Sequence, residues 1–328
     1  MTDAPLAFRM VGGADNPRRL VDARKAWSLY AAADSRVQPS LPAFLSAFTF
    51  PKAFKQHLDA TGSTAGYAGS VGAPFVHFDL DRDDLDDAVR DARKLAAFLV
   101  DRLDLDADDL VISYSGSKGF HVSIPMPPME AAEDNHTVAK AFACRLADEV
   151  GIDIDQGVYD RVRPFRAPNS RHRKTGLFKV RLDLDDLLYL DADKVRRRAV
   201  EPIPFDLPSS PSPLSRLADD WRTVAGEVRR QSRQRVEVRR QVGSNTGGRI
   251  TPSTRDLMLD PVAVEVGSRH ARLFSAAANL AEFGTVEDLI VALLTGPGLD
   301  TGLPPREVIR QIQCGIEHAR RQSEGDAA

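Results

Sequence analysis

Residues 109–125 read DLVISYSGSKGFHVSIP. Two runs rich in β-branched and aromatic residues, 109–115 and 119–125, flank a short Gly-Ser-Lys turn, which predicts an antiparallel hairpin. Alternation puts Phe120, Val122 and Ile124 on one face of the second arm and His121 and Ser123 on the other. The hairpin needs Gly116 and Gly119, which let the backbone close tightly and approach a ligand. It does not need Ser115, Ser117, Lys118 or His121. Exposed amides, hydroxyls and an ammonium also make a phosphate cradle. On these residues alone, a plain hairpin with a lysine at its tip and an anion site are both open. The turn is not a Walker A loop, because the GxxxxGK[ST] spacing is absent from the chain.

A third strand is expected upstream at 75–81, FVHFDLD. Val76, Phe78 and Leu80 share its core face, and Asp79 and Asp81 share the other. Two carboxylates about 6–7 Å apart along a strand repel each other unless a cation lies between them. Oxygen ligands of this kind suit Mg²⁺ or Mn²⁺. The alternative is a solvated strand end running into the acidic start of a helix. Asp83, Asp84, Asp86 and Asp87 fit that second description, since carboxylates favour helix N-termini.

Around these strands the chain alternates in character. Residues 1–60 read as helical and mixed, without a motif, and 61–74, rich in small residues, as a loop. Leu85, Val89, Ala92, Ala96, Leu99 and Leu103 recur at helical spacing, as do Val138, Phe142, Leu146 and Val150. Short strands are expected at 153–159 and 176–182. Residues 201–215 are rich in proline and serine, as befits a linker. Residues 227–249 are strongly basic, which fits a template contact or a solvated linker helix equally. Three helices are expected at 268–283, 285–295 and 304–321, the last with Pro304 and Pro305 at its start and Val308, Ile309, Ile312 and Ile316 as its apolar stripe.

Residues 153–180 add a further carboxylate, Asp155, and a run of cations that includes Arg161, Arg163, Arg166, Arg171, Arg173 and Lys174. Guanidinium groups grip phosphate oxygens in a planar, two-pronged way. A solvated basic loop is the competing description, although Phe165 and Pro168 argue for a segment that is held. The chain carries 44 Lys and Arg against 47 Asp and Glu, a net charge of −3. That balance excludes a uniformly basic nucleic-acid coat but permits local basic grooves. The two cysteines, Cys144 and Cys314, are too few for a cysteine zinc module or a disulfide framework. Without a signal-like N-terminus or an apolar run of bilayer length, the expectation is a soluble, cytoplasmic protein with no membrane partner.

Taken together, FDLD, SGSKGFH and DIDQGVY, the last continuing into DRVRPFRAPNS, resemble the three motifs of the archaeo-eukaryotic primase superfamily, in the family order. The likeness covers roughly residues 40–190. The helical C-terminus is more loosely similar to the primase C-terminal domain of plasmid and phage primase-polymerases. The resemblance implies an α/β (α+β) catalytic core with a mixed or antiparallel sheet and an RRM-like primase fold, over residues 1–205. A linker with a basic segment would follow at 206–255, and a small all-α domain at 256–328.

The resemblance also implies an activity: DNA-template-directed nucleotidyl transfer that makes or extends primers on single-stranded DNA, with two Mg²⁺ or Mn²⁺ ions. Asp79, Asp81 and Asp155 would be the catalytic, metal-binding carboxylates. Ser115, Ser117, Lys118 and His121 would hold the triphosphate of an incoming ribo- or deoxyribonucleotide. Arg163 and Arg166 would contact that nucleotide, and Asn169, Ser170 and His172 stand as additional positions. Tyr67 is a guess for the side chain that would sit under the sugar. Partners would be template, primer and, because no helicase motif is present, a separate replicative helicase. A gap-filling polymerase that cannot start chains and a non-catalytic replication initiator are the alternatives.

Overall fold

Strict alternation along 75–81 and 119–125 is what builds the sheet that carries the acidic residues. A computed structural model describes residues 5–13, 16–245 and 250–325, with side chains from 235 to 245, at 266 and from 323 onward also outside the description. The described residues form strands β1 (Leu6–Val11), β2 (Arg19–Asp22), β3 (Ala43–Ser46), β4 (Phe75–Asp81), β5 (Val111–Tyr114), β6 (Gly119–Pro125), β7 (Pro164–Arg166) and β8 (Val180–Leu182). The helices are α1 (Ala23–Ala31), α2 (Lys52–Thr61), α3 (Leu85–Leu103), α4 (Asn135–Val150), α5 (Leu184–Tyr189), α6 (Ala192–Arg198) and α7 (Arg216–Asn245), then α8 (Pro252–Leu259), α9 (Arg269–Glu282), α10 (Glu287–Asp300) and α11 (Pro305–Gly325). They divide into two compact units, Met1–Gln231 and Ser232–Ala328.

The first unit holds two four-stranded sheets, in the orders β4-β6-β5-β8 and β2-β1-β3-β7, with every pairing antiparallel. Val76, Phe78, Leu80, Ile112, Phe120, Val122 and Ile124 are fully buried. Helix α3 lies against β4 and β6, and α4 against β4. Their apolar stripes, Val89, Leu95 and Leu99 on one and Val138, Phe142 and Leu146 on the other, are buried in the same core. Asp84 caps α3 by accepting from the Asp86 amide, and Asp86 and Asp87 occupy its first turn, where carboxylates offset the helix dipole. That is the role expected of this acidic run.

The N-terminal segment differs from the sequence reading: residues 1–60 contribute three strands as well as two helices. Strands of four residues, such as RLVD and AFLS, are too short for alternation to register, and their pairing to β1 and β7 makes them. The expected strand at 153–159 is instead a 3₁₀ turn over Gln156–Tyr159, because Asp155 accepts from the Gly157 amide and caps it. Of the expected strand at 176–182, Val180–Leu182 forms β8 against β5, Phe178 makes an isolated bridge to Arg171, and Gly176 sits in a turn at φ +75°. Residues 216–231, read in the sequence as linker, begin α7 and bury Leu217, Trp221 and Val224 in the first unit's core. Arg229 is spent on Asp134 at 2.7 Å. Residues 246–249 at the end of the basic segment lie outside the described residues.

In the second unit, α8–α11 enclose Leu273, Ala277, Ile290, Leu294, Val308 and Ile312. Gly315 is required where α11 crosses α9, because a Cβ there would lie 2.5 Å from the Phe274 carbonyl oxygen. Ile309 is exposed rather than part of the buried stripe, and α10 continues through Pro297 to Asp300.

Asn169 ties the first unit together. It is fully buried at φ +52°. Its amide nitrogen donates to the carbonyls of Tyr30, Ala31 and Ile203, and its oxygen accepts from the Ile203 amide at 2.9 Å. Asn169→Ala strands these backbone groups and is strained in the left-handed region. It should cost about 2–4 kcal/mol in urea unfolding. Asn169→Asp should be at least as severe, because it sets a carboxylate against three carbonyl oxygens.

Candidate active site

The register of β4 on β6 decides which polar groups meet. Asp79 stands opposite His121 and Asp81 opposite Gly119, and His121 is flanked on β5 by Ser113. The loop after α4 then folds back so that the Asp155 amide donates to the Asp79 carbonyl at 2.9 Å. Arg82 braces the same junction. Its guanidinium donates to the Asp81 carbonyl at 2.9 Å and the Asp153 carbonyl at 2.7 Å, while Asp91 of α3 takes its charge at 2.7 Å. Asp79, Asp81 and Asp155, from two distant stretches, are thereby brought close enough for the last two to act electrostatically on the first.

Each carboxylate has its own basic neighbour. His121 Nε2 is 3.6 Å from Asp79 Oδ1, Lys118 Nζ is 3.7 Å from Asp81 Oδ2, and Arg163 Nη2 is 3.9 Å from Asp155 Oδ2. All three distances exceed a hydrogen bond, so none of these side chains occupies a carboxylate lone pair. Asp79 Oδ1 is buried with no hydrogen-bond partner. Burial, reinforced by Asp81 and Asp155, pushes the Asp79 carboxyl up to about 7. A carboxyl in that position is partly protonated near neutral pH.

The turn is built as the sequence implied, with its hydroxyls partly committed. The Ser115 amide donates to the Gly119 carbonyl at 2.9 Å, and Ser115 Oγ accepts from the Gly119 amide at 3.3 Å, leaving its own O–H available. The Ser117 carbonyl accepts from Tyr114 Oη at 2.6 Å. Gly116 sits at φ +85°, and a Cβ on Gly119 would lie 2.4 Å from Asp81 Oδ1. Lys118 is exposed at the tip.

Beneath the carboxylates lies an aromatic seat that the sequence reading did not single out. Phe165 of β7 packs its ring 4.2 Å from His77 and 4.4 Å from His121, centroid to centroid. Lys179 Nζ sits 4.4 Å from the same ring and donates to the Arg166 carbonyl at 3.0 Å. Burial and Arg166 push the Lys179 ammonium down to about 7. Burial also holds His121 well below the usual imidazole range, which makes it a neutral hydrogen-bonding group. The signals for this layer were Phe165 within the basic run, His77 on the polar face of β4, and a lysine between Phe178 and Val180.

Arg166 extends over Phe44 at 5.0 Å, and its Nη1 is buried without a partner. His121, Lys118 and Arg163 thus stand beside the carboxylates and Arg166 lies within the field of Asp79 and Asp81, while Ser115 and Ser117 belong to the turn that carries Lys118. His172 lies beside the turn, its Cβ 3.2 Å from where a Gly116 Cβ would stand, with Nδ1 facing the Thr175 amide. Asn169 and Ser170 are elsewhere in role: both spend their side chains on backbone carbonyls. Tyr67 does not face the site. It is buried against Phe50 and Phe54, and its hydroxyl donates to the Ser70 carbonyl.

Among the described residues, no group of three or more His, Cys, Asp or Glu side chains is already gathered as a metal cage; Asp155 Oδ1 is turned onto the Gly157 amide. Mg²⁺ does not demand such a cage, since it commonly takes one or two carboxylates, water and substrate phosphate. The all-oxygen donor set and the orphaned Asp79 Oδ1 fit a hard divalent cation.

No protein-family model matches the chain, and no curated protein matches it. The crystal structure of primase RepB' is weakly similar, with 13% identity over 98% of this chain and 94% of that chain and a TM-score of 0.36. No helix among the described residues is long and apolar enough to cross a membrane.

Asp79 titrates near 4 when unfolded and near 7 when folded. The folded chain thus holds an extra proton between those values, and its stability falls as pH rises through them. In EDTA, Asp79→Asn should match the wild type near pH 4 and exceed it by about 2–4 kcal/mol at pH 8. Denaturant melts across that range check the sign.

Proposed function

We propose that this chain is a template-directed nucleotidyltransferase of the primase-polymerase type, acting on single-stranded DNA. The observation that carries this reading is the set of three carboxylates, Asp79, Asp81 and Asp155, each with a basic side chain held 3.6–3.9 Å away. An acidic cluster alone would serve a solvated edge. Acids ringed by unsaturated bases suit a polyphosphate that arrives with its own divalent cations.

Asp79, Asp81 and Asp155 would hold two Mg²⁺ or Mn²⁺ ions, which when bound would lower the pKa of an attacking 3′-hydroxyl and neutralise the leaving pyrophosphate. The chain's own residues position the substrate. Lys118 supplies a point charge at the tip of the turn, and the Ser115 and Ser117 hydroxyls offer donors to phosphate oxygens. His121, neutral and wedged on Phe165, can donate one ring N–H in a fixed direction. Arg163 and Arg166 reach in from the β7 side with planar forks suited to phosphate. Rate enhancement would come largely from this positioning. Template binding would be electrostatic and weakened by salt. A separate replicative helicase remains the partner proposed for unwinding.

Labelled-nucleotide incorporation on unprimed and on primed single-stranded DNA, with ribo- and deoxyribonucleotides and with either metal, tests the reading. Asp79→Ala and Asp155→Ala should each lower incorporation by at least about 10²-fold. Lys118→Ala should act mainly on KM for the nucleotide. Incorporation that survives Asp79→Ala overturns the assignment, and product on primed template alone makes the chain an extending polymerase.

A further inference from the structure

A cleft of about 300 Å³ opens beside the carboxylates on the side of the β2-β1-β3-β7 sheet. That volume is at the small end of ligand sites, which run from about 300 to 1,000 Å³. Its lining is mostly apolar: Met10 of β1, Pro42 and Phe44 of β3 contribute to it. Arg163, Arg166 and Arg173 supply its charge. The two halves are joined by the Arg166 guanidinium, which lies over the Phe44 ring at 5.0 Å while its Nη1 is buried and unpartnered.

A flat apolar surface next to guanidinium groups selects a ligand that is itself flat, aromatic and rich in acceptors. Lipid tails would leave the arginines unpaired, and a simple anion would leave the apolar lining wet. Arg163 links the cleft to the acidic site, because it lines the cleft and also stands 3.9 Å from Asp155 Oδ2. One molecule can therefore span both.

We infer that this cleft seats a nucleobase, stacked against the Arg166 guanidinium where it lies over the Phe44 ring and bordered by Met10 and Pro42. The inference rests on the proposed nucleotide site and adds what that site lacks: a place for the ring. The ring belongs either to the incoming nucleotide or to a base of the single-stranded template; the chemistry of the cleft is the same for both.

Inorganic tripolyphosphate, ATP and a single-stranded oligonucleotide bearing 2-aminopurine separate the possibilities. Calorimetry gives the affinities of the first two with Mg²⁺ present, and fluorescence that of the third. Gly13→Leu narrows the cleft, and its Cβ would meet only Arg173 Nη1 at 3.5 Å, an ordinary contact. Phe44→Ala removes the stacking face. Thermal melts check that both variants are folded, and Gly13→Leu serves if Phe44→Ala is not.

Wild type should bind ATP about tenfold more tightly than tripolyphosphate, as base stacking implies. Both variants should bring that ratio towards one with tripolyphosphate affinity unchanged. An unchanged ratio with about tenfold weaker oligonucleotide binding also supports the cleft and assigns the ring to the template. Variants that keep both the ratio and the oligonucleotide affinity overturn the inference and leave the phosphate site intact. A wild-type chain that binds none of the three overturns the nucleotide reading beneath it as well.

Discussion

The first unit is organised around a buried carboxyl that its neighbours only partly compensate. Asp79 is largely buried and shares its surroundings with Asp81 and Asp155, and the cost shows in a carboxyl pushed up to about 7. Close ion pairs would quench that cost. Instead neutral His121 and the cations Lys118 and Arg163 stand at 3.6–3.9 Å, too far to occupy the lone pairs of the acids. The rest of the core serves to keep that arrangement from relaxing. The Asp155 amide is bonded to the Asp79 carbonyl, and Arg82 spans Asp81 and Asp153 while handing its charge to Asp91.

Phe165 explains why the two sheets belong to one site. It comes from β7, yet His77 of β4 and His121 of β6 lean on its ring, and Lys179 caps it. The acidic strands and the arginine-bearing strand are thus registered through one aromatic side chain. A buried lysine in such a place is expensive. Its ammonium is partly repaid by the Arg166 carbonyl and by the field of Asp79.

How much of this could be read in the chain follows from the range of each interaction. Alternation in FVHFDLD and GFHVSIP assigned the faces of β4 and β6, because those strands are seven residues long and one face of each is wholly apolar. The carboxylates and the basic turn followed from that face assignment. Strands β2 and β3, of four residues each, carry no period and exist through their partners. Asp155 was legible as a carboxylate but not as the cap of a 3₁₀ turn. Asn169 was picked out by a motif and proved to be a backbone clamp, a role no residue type announces. Lys179 and Phe165 matter through contacts that sequence spacing does not display. Tyr67, a guess for the side chain under the sugar, belongs to an aromatic core with Phe50 and Phe54.

Gly119 shows what such packing means for variation in the chain. A glycine in a tight turn is usually valued for its backbone freedom. Here the space where its side chain would stand is already filled by the Asp81 carboxylate and the Leu80 carbonyl, each 2.4 Å away. The position is a steric gauge: a single added methyl would be transmitted directly to the angle of an acid. In a mutational library, tolerance along this turn should therefore be sharply uneven, with freedom at the solvent-facing tip and none one residue later.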